Sequence, residues 1–382
     1  MRPGYIYTCF CSLLLILATV RCKQAYDPPA IKASNNYLVV DGFINAGANA
    51  ITSFNLNRTR NLGDSTVAGS PELNAHVSLV SSGGATYPLA DTANTGIYTS
   101  APLSLDITQQ YSIAITTSDG RKYASAAVPC KQTPVIDSLY WRQPDDLTIY
   151  VNAHDPAANT HYYRYDYTET WEHDAELSTP WIVVNGMIEA SDSTNQKQQC
   201  WSDAASTNIL VTNTTSLAQD VVSGFALTTI PNGDPKINIR YSILARQYAL
   251  TEDAYNYWLL IQKTSQGLGT LFDLQPTQLV GNIHCLTNPS EPVIGFVSAS
   301  TMQQQRLFIR QSSLSNWGHN QPVYGCDTIK IAVNPINPLI YNYPDTFYAP
   351  WYFITGGPLV LGSRFCLDCT LFGGSTVKPS FW

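Results

Sequence analysis

Two cysteines separated by two residues, Cys366-Leu367-Asp368-Cys369, form the sharpest chemical motif in the chain. This spacing serves three chemistries. A redox centre needs its first thiol at a helix N-terminus, which lowers the thiol pKa. The following Thr370-Leu371-Phe372-Gly373-Gly374 is a poor helix former. A structural zinc site needs four ligands. No second Cys-x-x-Cys occurs, and only His284-Cys285 offers another adjacent pair. A structural disulfide, local or to other cysteines, makes the fewest demands on the rest of the chain.

A second constellation is built from aromatic rings and carboxylates. Tyr163, Tyr165 and Tyr167 alternate with Arg164, Asp166 and Thr168, so on a strand the tyrosines share one face. Glu169, Trp171 and Glu172 follow directly. Aromatic faces stack on the apolar faces of sugars, and carboxylates accept from their hydroxyls. Tyr163, Tyr165, Glu169, Trp171 and Glu172 are therefore the candidate ligand-binding residues. Two carboxylates about 5–5.5 or 6.5–9.5 Å apart also hydrolyse glycosides. The competing reading is a buried tyrosine core with satisfied hydroxyls. A further aromatic concentration comprises Trp317 and His319, then Tyr341 to Phe353. Pro344 and Pro350 interrupt it, which suggests loop; buried, it packs one end of the second domain, and exposed, it is a partner or ligand patch.

Ser375-Thr376-Val377-Lys378 matches Ser-x-x-Lys formally, but Pro379 follows it and no helix can open there. Gly-x-Ser-x-Gly, His-Glu-x-x-His and a phosphate-binding glycine loop are all missing. No catalytic residue, metal ligand set or cofactor is assigned from the sequence.

Cys22 carries a different chemistry. Arg2, the apolar run Cys9 to Val20 and then Thr19-Val20-Arg21-Cys22 have the form of a lipoprotein export signal. The run is too short for a bilayer, which requires ~20 residues for ~30 Å of hydrocarbon. Cleavage before Cys22 would free its thiol for acylation and place residues 22–34 as a tether. Arg21 stands where such signals carry a small residue, so a soluble secreted protein cut elsewhere is the alternative. The expected location is the cell envelope, anchored by lipid to the outer membrane.

Loss of Arg2 and Arg21 with the signal leaves 19 basic against 28 acidic residues, a net charge of −9. That balance disfavours nucleic acid as a partner. Only 13% of residues are charged, while 44% are apolar. This suits a folded β-rich exported protein better than a disordered one. Of nine cysteines, Cys9 and Cys11 fall in the signal and Cys22 takes the lipid. Cys130, Cys200, Cys285, Cys326, Cys366 and Cys369 remain, an even set that favours disulfides in an oxidising compartment. Their connectivity stays open.

The elements that must position these groups are mostly strands. Val77 and Leu79, then Tyr111, Ile113 and Ile115, alternate with polar or smaller residues, and Asp119-Gly120 supplies a turn. Short strands with regular turns predict an immunoglobulin-like β-sandwich over residues 35–132. A larger β-rich domain follows over 133–382. Leu147, Ile149 and Val151 alternate there, as do Ile237, Ile239, Tyr241, Ile243 and Ala245. One helix is predicted near 251–265. Thr251 can cap it, Glu252 and Asp253 suit its positive end, and Ala254, Tyr257, Trp258 and Ile261 share a face. Gly267 is its expected stop. The fold class is thus mainly β, with one or two helices.

Several strings resemble the bacterial lipoprotein family called domain-of-unknown-function family 4249. They include Tyr37-Leu38-Val39-Val40-Asp41-Gly42, Tyr162-Tyr163-Arg164-Tyr165, Gln247-Tyr248-Ala249-Leu250 and Ala254-Tyr255-Asn256-Tyr257-Trp258. Gly269-Thr270-Leu271-Phe272-Asp273, Gly281-Asn282-Ile283, Val293-Ile294-Gly295 and the Cys366-to-Cys369 motif continue the series in order. The resemblance implies an exported lipoprotein of Bacteroidota type and a TonB-dependent outer-membrane receptor as a possible partner. It implies no reaction. The function expected is non-enzymatic binding as an accessory of uptake. A surface hydrolase acting on polysaccharide or peptide, and a structural or adhesion protein, are the alternatives.

Overall fold

The computed structural model describes residues 36–60, 70–192, 195–266, 281–318, 325–334, 336–341 and 347–382. Cys22, the tether, Gly267, the 269–273 string, His319 and Pro344 lie outside them. The chain is mainly β throughout.

The first sheet closes on itself. From Gln110–Thr116 the order runs through His76–Ser81, Thr86–Ala90, Ile97–Ser100, Ser53–Arg58 and Leu38–Asn45. It then passes through Ala299–Ser300 and Val128–Lys131 and returns to Gln110–Thr116. This is an eight-stranded barrel. It replaces the open two-sheet sandwich expected over 35–132. The strand that completes it comes from far down the chain: Ala299–Ser300 lies parallel to both neighbours, between Leu38–Asn45 and Val128–Lys131. A division at residue 132 would therefore cut through one hydrophobic core. Ile283, Cys285, Val293, Val297 and Ala299 pack there with Leu38, Phe54, Leu79 and Ile113.

The returning segment sits hard against the barrel wall. Val40 N–H donates to Ile294 O at 2.8 Å, and Ile294 N–H donates to Leu38 O at 2.9 Å. Gly295 (φ +141°) permits this approach, since a Cβ there would stand 2.2 Å from Val40 O. Two of the strings that carried the family resemblance thus meet at the barrel seam. Glu291 fastens the same segment. It accepts from Tyr123 Oη at 2.7 Å and pairs with Arg121 at 3.1 Å, with Arg58 3.8 Å away.

The middle of the chain forms two facing sheets. Ile136–Arg142, Leu147–His154 and Val221–Ile230 make one. Tyr162–Asp174 is the centre of the other, flanked by Gln199–Ala205 and Leu210–Asn213 on one edge. Arg240–Ala249 and then Met302–Arg310 lie on its other side. Leu147, Ile149 and Val151 pack against Tyr163, Tyr165, Tyr241 and Ile243 between the layers. The alternating run expected from Ile237 begins later, because Pro235–Ile237 is a 3₁₀ turn. Helix α1 (Glu252–Gln266) lies beside this sheet, with Thr251 Oγ1 accepting from Ala254 N–H at 3.3 Å. No helix among the described residues is long and apolar enough to cross a membrane.

The third unit is small. A hairpin, Trp181–Val184 with Met187–Ala190, turns at Asn185 (φ 51°) and Gly186 (φ 76°). Such left-handed pairs match the twist of the strands they join. Thr328–Ile331, Leu359–Ser363 and Tyr348–Phe353 form a sheet with Leu359–Ser363 in the middle. Ile188, Leu359 and Leu361 are the buried centre, packed by Trp181, Tyr348 and Phe353.

Candidate functional site

The tyrosine face of Tyr162–Asp174 points into the core between the two sheets, not to solvent. Tyr163 and Tyr165 are fully buried. Tyr163 Oη donates to Asp220 Oδ1 at 3.0 Å, and Tyr165 Oη to Gln247 Oε1 at 2.9 Å. Burial, with Asp220 nearby, pushes both phenols well above their ordinary range. Glu169 is buried on the same face. It accepts from Tyr241 Oη at 2.7 Å and pairs with Lys236 Nζ at 2.7 Å. Trp171 is half-buried there, with Lys236 Nζ 5.0 Å from its ring centre. Glu172 projects from the opposite face, where it accepts from Gln199 and from Trp382 Nε1. The five residues do not form a platform. The tyrosines are internal, and the two glutamates lie on opposite sides of one strand because three positions is an odd step.

A cleft does form, in the third unit. It encloses about 470 Å³ between the 181–190 hairpin and the strand Tyr348–Phe353. Its lining includes Trp181, Tyr341, Tyr348 and Pro350 together with Ser191, Gln196 and Gln198. Arg364, Leu367 and Asp368 close the floor, with Lys197 beside them. The hairpin is tied across the cleft, since Thr179 Oγ1 reaches Pro350 O at 2.9 Å and Trp351 O at 3.0 Å. The Trp181 ring is fixed edge-to-face on Phe353, with centroids 5.3 Å apart.

The floor is held by the two disulfides. Cys200 joins Cys369 and Cys326 joins Cys366. The two cysteines of the Cys-x-x-Cys motif therefore bond to different distant partners, and the residues between them, Leu367 and Asp368, line the cleft. Backbone bonds add to the clamp: Cys369 N–H donates to Lys197 O at 3.0 Å, and Leu177 N–H donates to Cys366 O at 2.7 Å. Lys197 Nζ lies 2.8 Å from Asp368 Oδ2. Burial raises the Asp368 carboxyl pKa. The hydrogen bonds from Lys197 and Thr370 outweigh it, and the group ends below its ordinary value. Ser191 Oγ and Gln198 Oε1 are buried without a hydrogen-bond partner among the described residues.

The other two cysteines expected in disulfides are reduced. Cys130 lies on the barrel strand Val128–Lys131 and Cys285 on Ile283–Cys285, which pairs with Lys122–Ser125 and packs in the barrel core; their strand neighbours are Ala299 and Tyr123 rather than each other. Burial pushes the Cys130 thiol up to about 11. Glu176 approaches the Cys326–Cys366 pair, but both sulfurs are committed to the bridge and neither is a thiolate ligand. Ser375 is extended, exchanging backbone bonds with Trp201 at 2.8 and 2.9 Å, which removes the helical context of a Ser-x-x-Lys nucleophile. Of the aromatic concentration, Trp317 packs in the sandwich core, and the stretch expected as loop contains the strand Tyr348–Phe353.

Sequence reasoning singled out Tyr341 and Tyr348 of the lining but missed the 181–190 hairpin. Its signal was present: Trp181-Ile182-Val183-Val184, then Asn185-Gly186, then Met187-Ile188 is a hairpin with its turn pair in place.

Barrel, facing sheets and a disulfide-clamped cleft define a β-rich protein with a concavity in its last unit. The chain belongs to the DUF4249 family, a domain of unknown function, whose model matches residues 23–306. The matched span includes the 181–190 hairpin and ends before the cleft's aromatic strand. No curated protein matches. Among solved structures, a DUF4785 family protein from Legionella pneumophila subsp. pneumophila str. Philadelphia 1 is similar at 12% identity, with a TM-score of 0.20. The alignment covers 56% of this chain and 52% of that one, so the chain spans about half the length of that structure.

Proposed function

We propose that this chain is an exported, lipid-anchored envelope protein that binds a small ligand in the 181–190/348–353 cleft without transforming it. The observation that carries this reading is the pair of disulfides on either side of Leu367-Asp368. Bonds of this kind persist in oxidising compartments. Here they clamp Leu367 and Asp368, two residues of the cleft lining. A preformed cavity of this size is the form small-ligand sites take, typically about 300–1,000 Å³. The hydrolase alternative loses its carboxylate pair, since Glu169 and Glu172 face opposite ways. The export signal and Cys22 supply the anchor. The family resemblance supplies the partner, a TonB-dependent outer-membrane receptor to which bound ligand is passed; this part of the proposal rests on context alone.

Fractionation tests the anchor. Wild-type protein should require detergent for release from the envelope, whereas Cys22→Ala should appear in the soluble extracytoplasmic fraction. Equal solubility of both forms contradicts the anchor.

A further inference from the structure

We propose that the outer face of the central sheet is a peptide site for two adjacent aromatic side chains, filled in this structure by the chain's own Phe381 and Trp382 and open in trans to a Phe-Trp segment of a partner protein. The site is separate from the cleft and does not depend on the binding reading above.

Register builds the face. Residues directly opposite on antiparallel strands share a side of the sheet. Glu172 pairs with Arg240, and Thr170 with Ser242. Ser242 pairs in turn with Phe308, and Leu244 with Arg306. Glu172, Arg240, Ser242, Phe308 and Arg306 thus all point away from the tyrosine core. Segment 376–382 crosses this face. Ser375 is bonded to Trp201 on one edge strand, and Phe381 lies over Arg306 on the opposite edge strand, three strand spacings away. That distance is about 14 Å, within the ~20 Å that six extended residues reach.

Two rings hold the segment down. Arg306 Cζ lies 3.5 Å from the Phe381 ring centre. Arg240 Cζ lies 4.4 Å from the ring centre of Phe308 and 4.9 Å from that of Trp382. Trp382 also packs edge-to-face on Phe308, with centroids 5.8 Å apart, and its Nε1 donates to Glu172 Oε2 at 3.1 Å. The backbone bonds of the arch are internal: Val377 N–H donates to Ser375 Oγ at 3.1 Å and Trp382 N–H to Pro379 O at 3.0 Å. Thr376, Val377, Lys378 and Ser380 are exposed. Recognition is therefore carried by side chains, and another polypeptide presenting the same pair can supply it.

The cations define the chemical class. Among the described residues neither Arg240 nor Arg306 forms an ion pair. Arg306 Nη1 donates to Ser242 Oγ at 2.8 Å, and burial holds the guanidinium pKa below its ordinary value. Ring faces stand where counter-ions would. An aliphatic side chain has no π face to offer a guanidinium. Glu172 is an acceptor at the same place, and an indole N–H meets it where a phenyl ring cannot. The pair that fits is thus a phenylalanine followed by a tryptophan.

The test uses the full chain and, as probe, a fluorescein-labelled peptide of residues 376–382, followed by anisotropy. Phe381→Ala/Trp382→Ala vacates the face and should bind the peptide saturably, with a Kd on the order of 0.1 mM. The wild-type chain should bind it about tenfold more weakly, because a short tether presents its own segment at millimolar effective concentration. Trp382→Ala alone, which leaves Phe381 in place, is the second variant, and its affinity should lie between the two. Adding Arg306→Ala to the vacated chain should weaken binding about tenfold, the equivalent of one desolvated cation–π contact. Equal binding of a peptide with both aromatic residues replaced by alanine overturns the aromatic class. A wild-type dimer that the peptide returns to monomer assigns the face to a second copy of this chain and overturns the foreign partner. Equal affinity of wild-type and vacated chains, indifference to Arg306→Ala, or no saturable binding to either variant overturns the site itself.

Discussion

Removing the two disulfides should destabilise the cleft unit unequally, and the order follows from chain length. Cys200 and Cys369 are 169 residues apart in sequence; Cys326 and Cys366 are 40 apart. Closing a loop removes entropy from the unfolded chain in proportion to the logarithm of its length. The outer bridge then contributes about 5 kcal/mol and the inner about 4 kcal/mol. The inner loop is nested in the outer one, and closing it first shortens the outer loop enough to change its contribution by only about 0.2 kcal/mol. The perturbations are the double variants Cys200→Ala/Cys369→Ala and Cys326→Ala/Cys366→Ala. The assay is urea unfolding followed by tryptophan fluorescence, to which Trp181 and Trp351 contribute from this unit. The outer variant should lose more, by about 1 kcal/mol, with unchanged m values for the shared transition. Dithiothreitol should reproduce the sum in wild type. An inner loss equal to or larger than the outer, or no response to reductant, refutes the reasoning that these bridges hold the floor.

Three further outcomes are expected. Glu291→Ala should cost about 2 kcal/mol in thermal or urea melts, because it removes the acceptor of Tyr123 Oη and the ion-pair partner of Arg121 at the barrel seam while Arg58 keeps Glu72; a loss below about 0.5 kcal/mol contradicts the fastening role. At pH 8, Ellman's reagent should modify Cys130 and Cys285 slowly in the folded chain and fully in urea, since burial holds the Cys130 thiol near 11; rapid labelling of native protein is inconsistent with their packing. The Asp368 carboxyl is depressed in the folded state, so its contribution is present above the unfolded value of about 3.9 and lost as pH falls through the lower folded value. The cleft unit should therefore keep its urea midpoint from neutral pH to about pH 4 and lose it below, and Asp368→Asn should flatten that acid limb. An unchanged limb in the variant assigns the acid sensitivity elsewhere.

Periodicity made much of the sheet content readable. Tyr111, Ile113 and Ile115, and Leu147, Ile149 and Val151, alternate in sequence and are buried in the structure. The helix start was legible from Thr251 with Glu252 and Asp253, because capping is local chemistry. Closure of the barrel was not. It depends on Ala299–Ser300, a two-residue strand too short to carry a period, pairing with segments far away in the chain. The difference between a sandwich and a barrel is whether the outer strands meet, which no local pattern encodes. The tyrosine strand shows another limit. Alternation places Tyr163, Tyr165 and Tyr167 together, but tyrosine suits either a core or a ligand face. Only the sheet laid over that face, with Asp220 and Gln247 waiting for the hydroxyls, decides between them. The same holds for the cysteines. Six is an even number, yet two of them sit on strands whose neighbours are Ala299 and Tyr123.

The oxidised clamp around the cleft is the central feature of this protein. Non-reducing peptide mapping of the chain isolated from its native envelope, with free thiols alkylated at lysis, tests it most directly. The expected map links Cys200 to Cys369 and Cys326 to Cys366, and carries alkyl groups on Cys130 and Cys285. Alkylated Cys366 and Cys369, or a local bond between them, would contradict both the clamp and the site it holds.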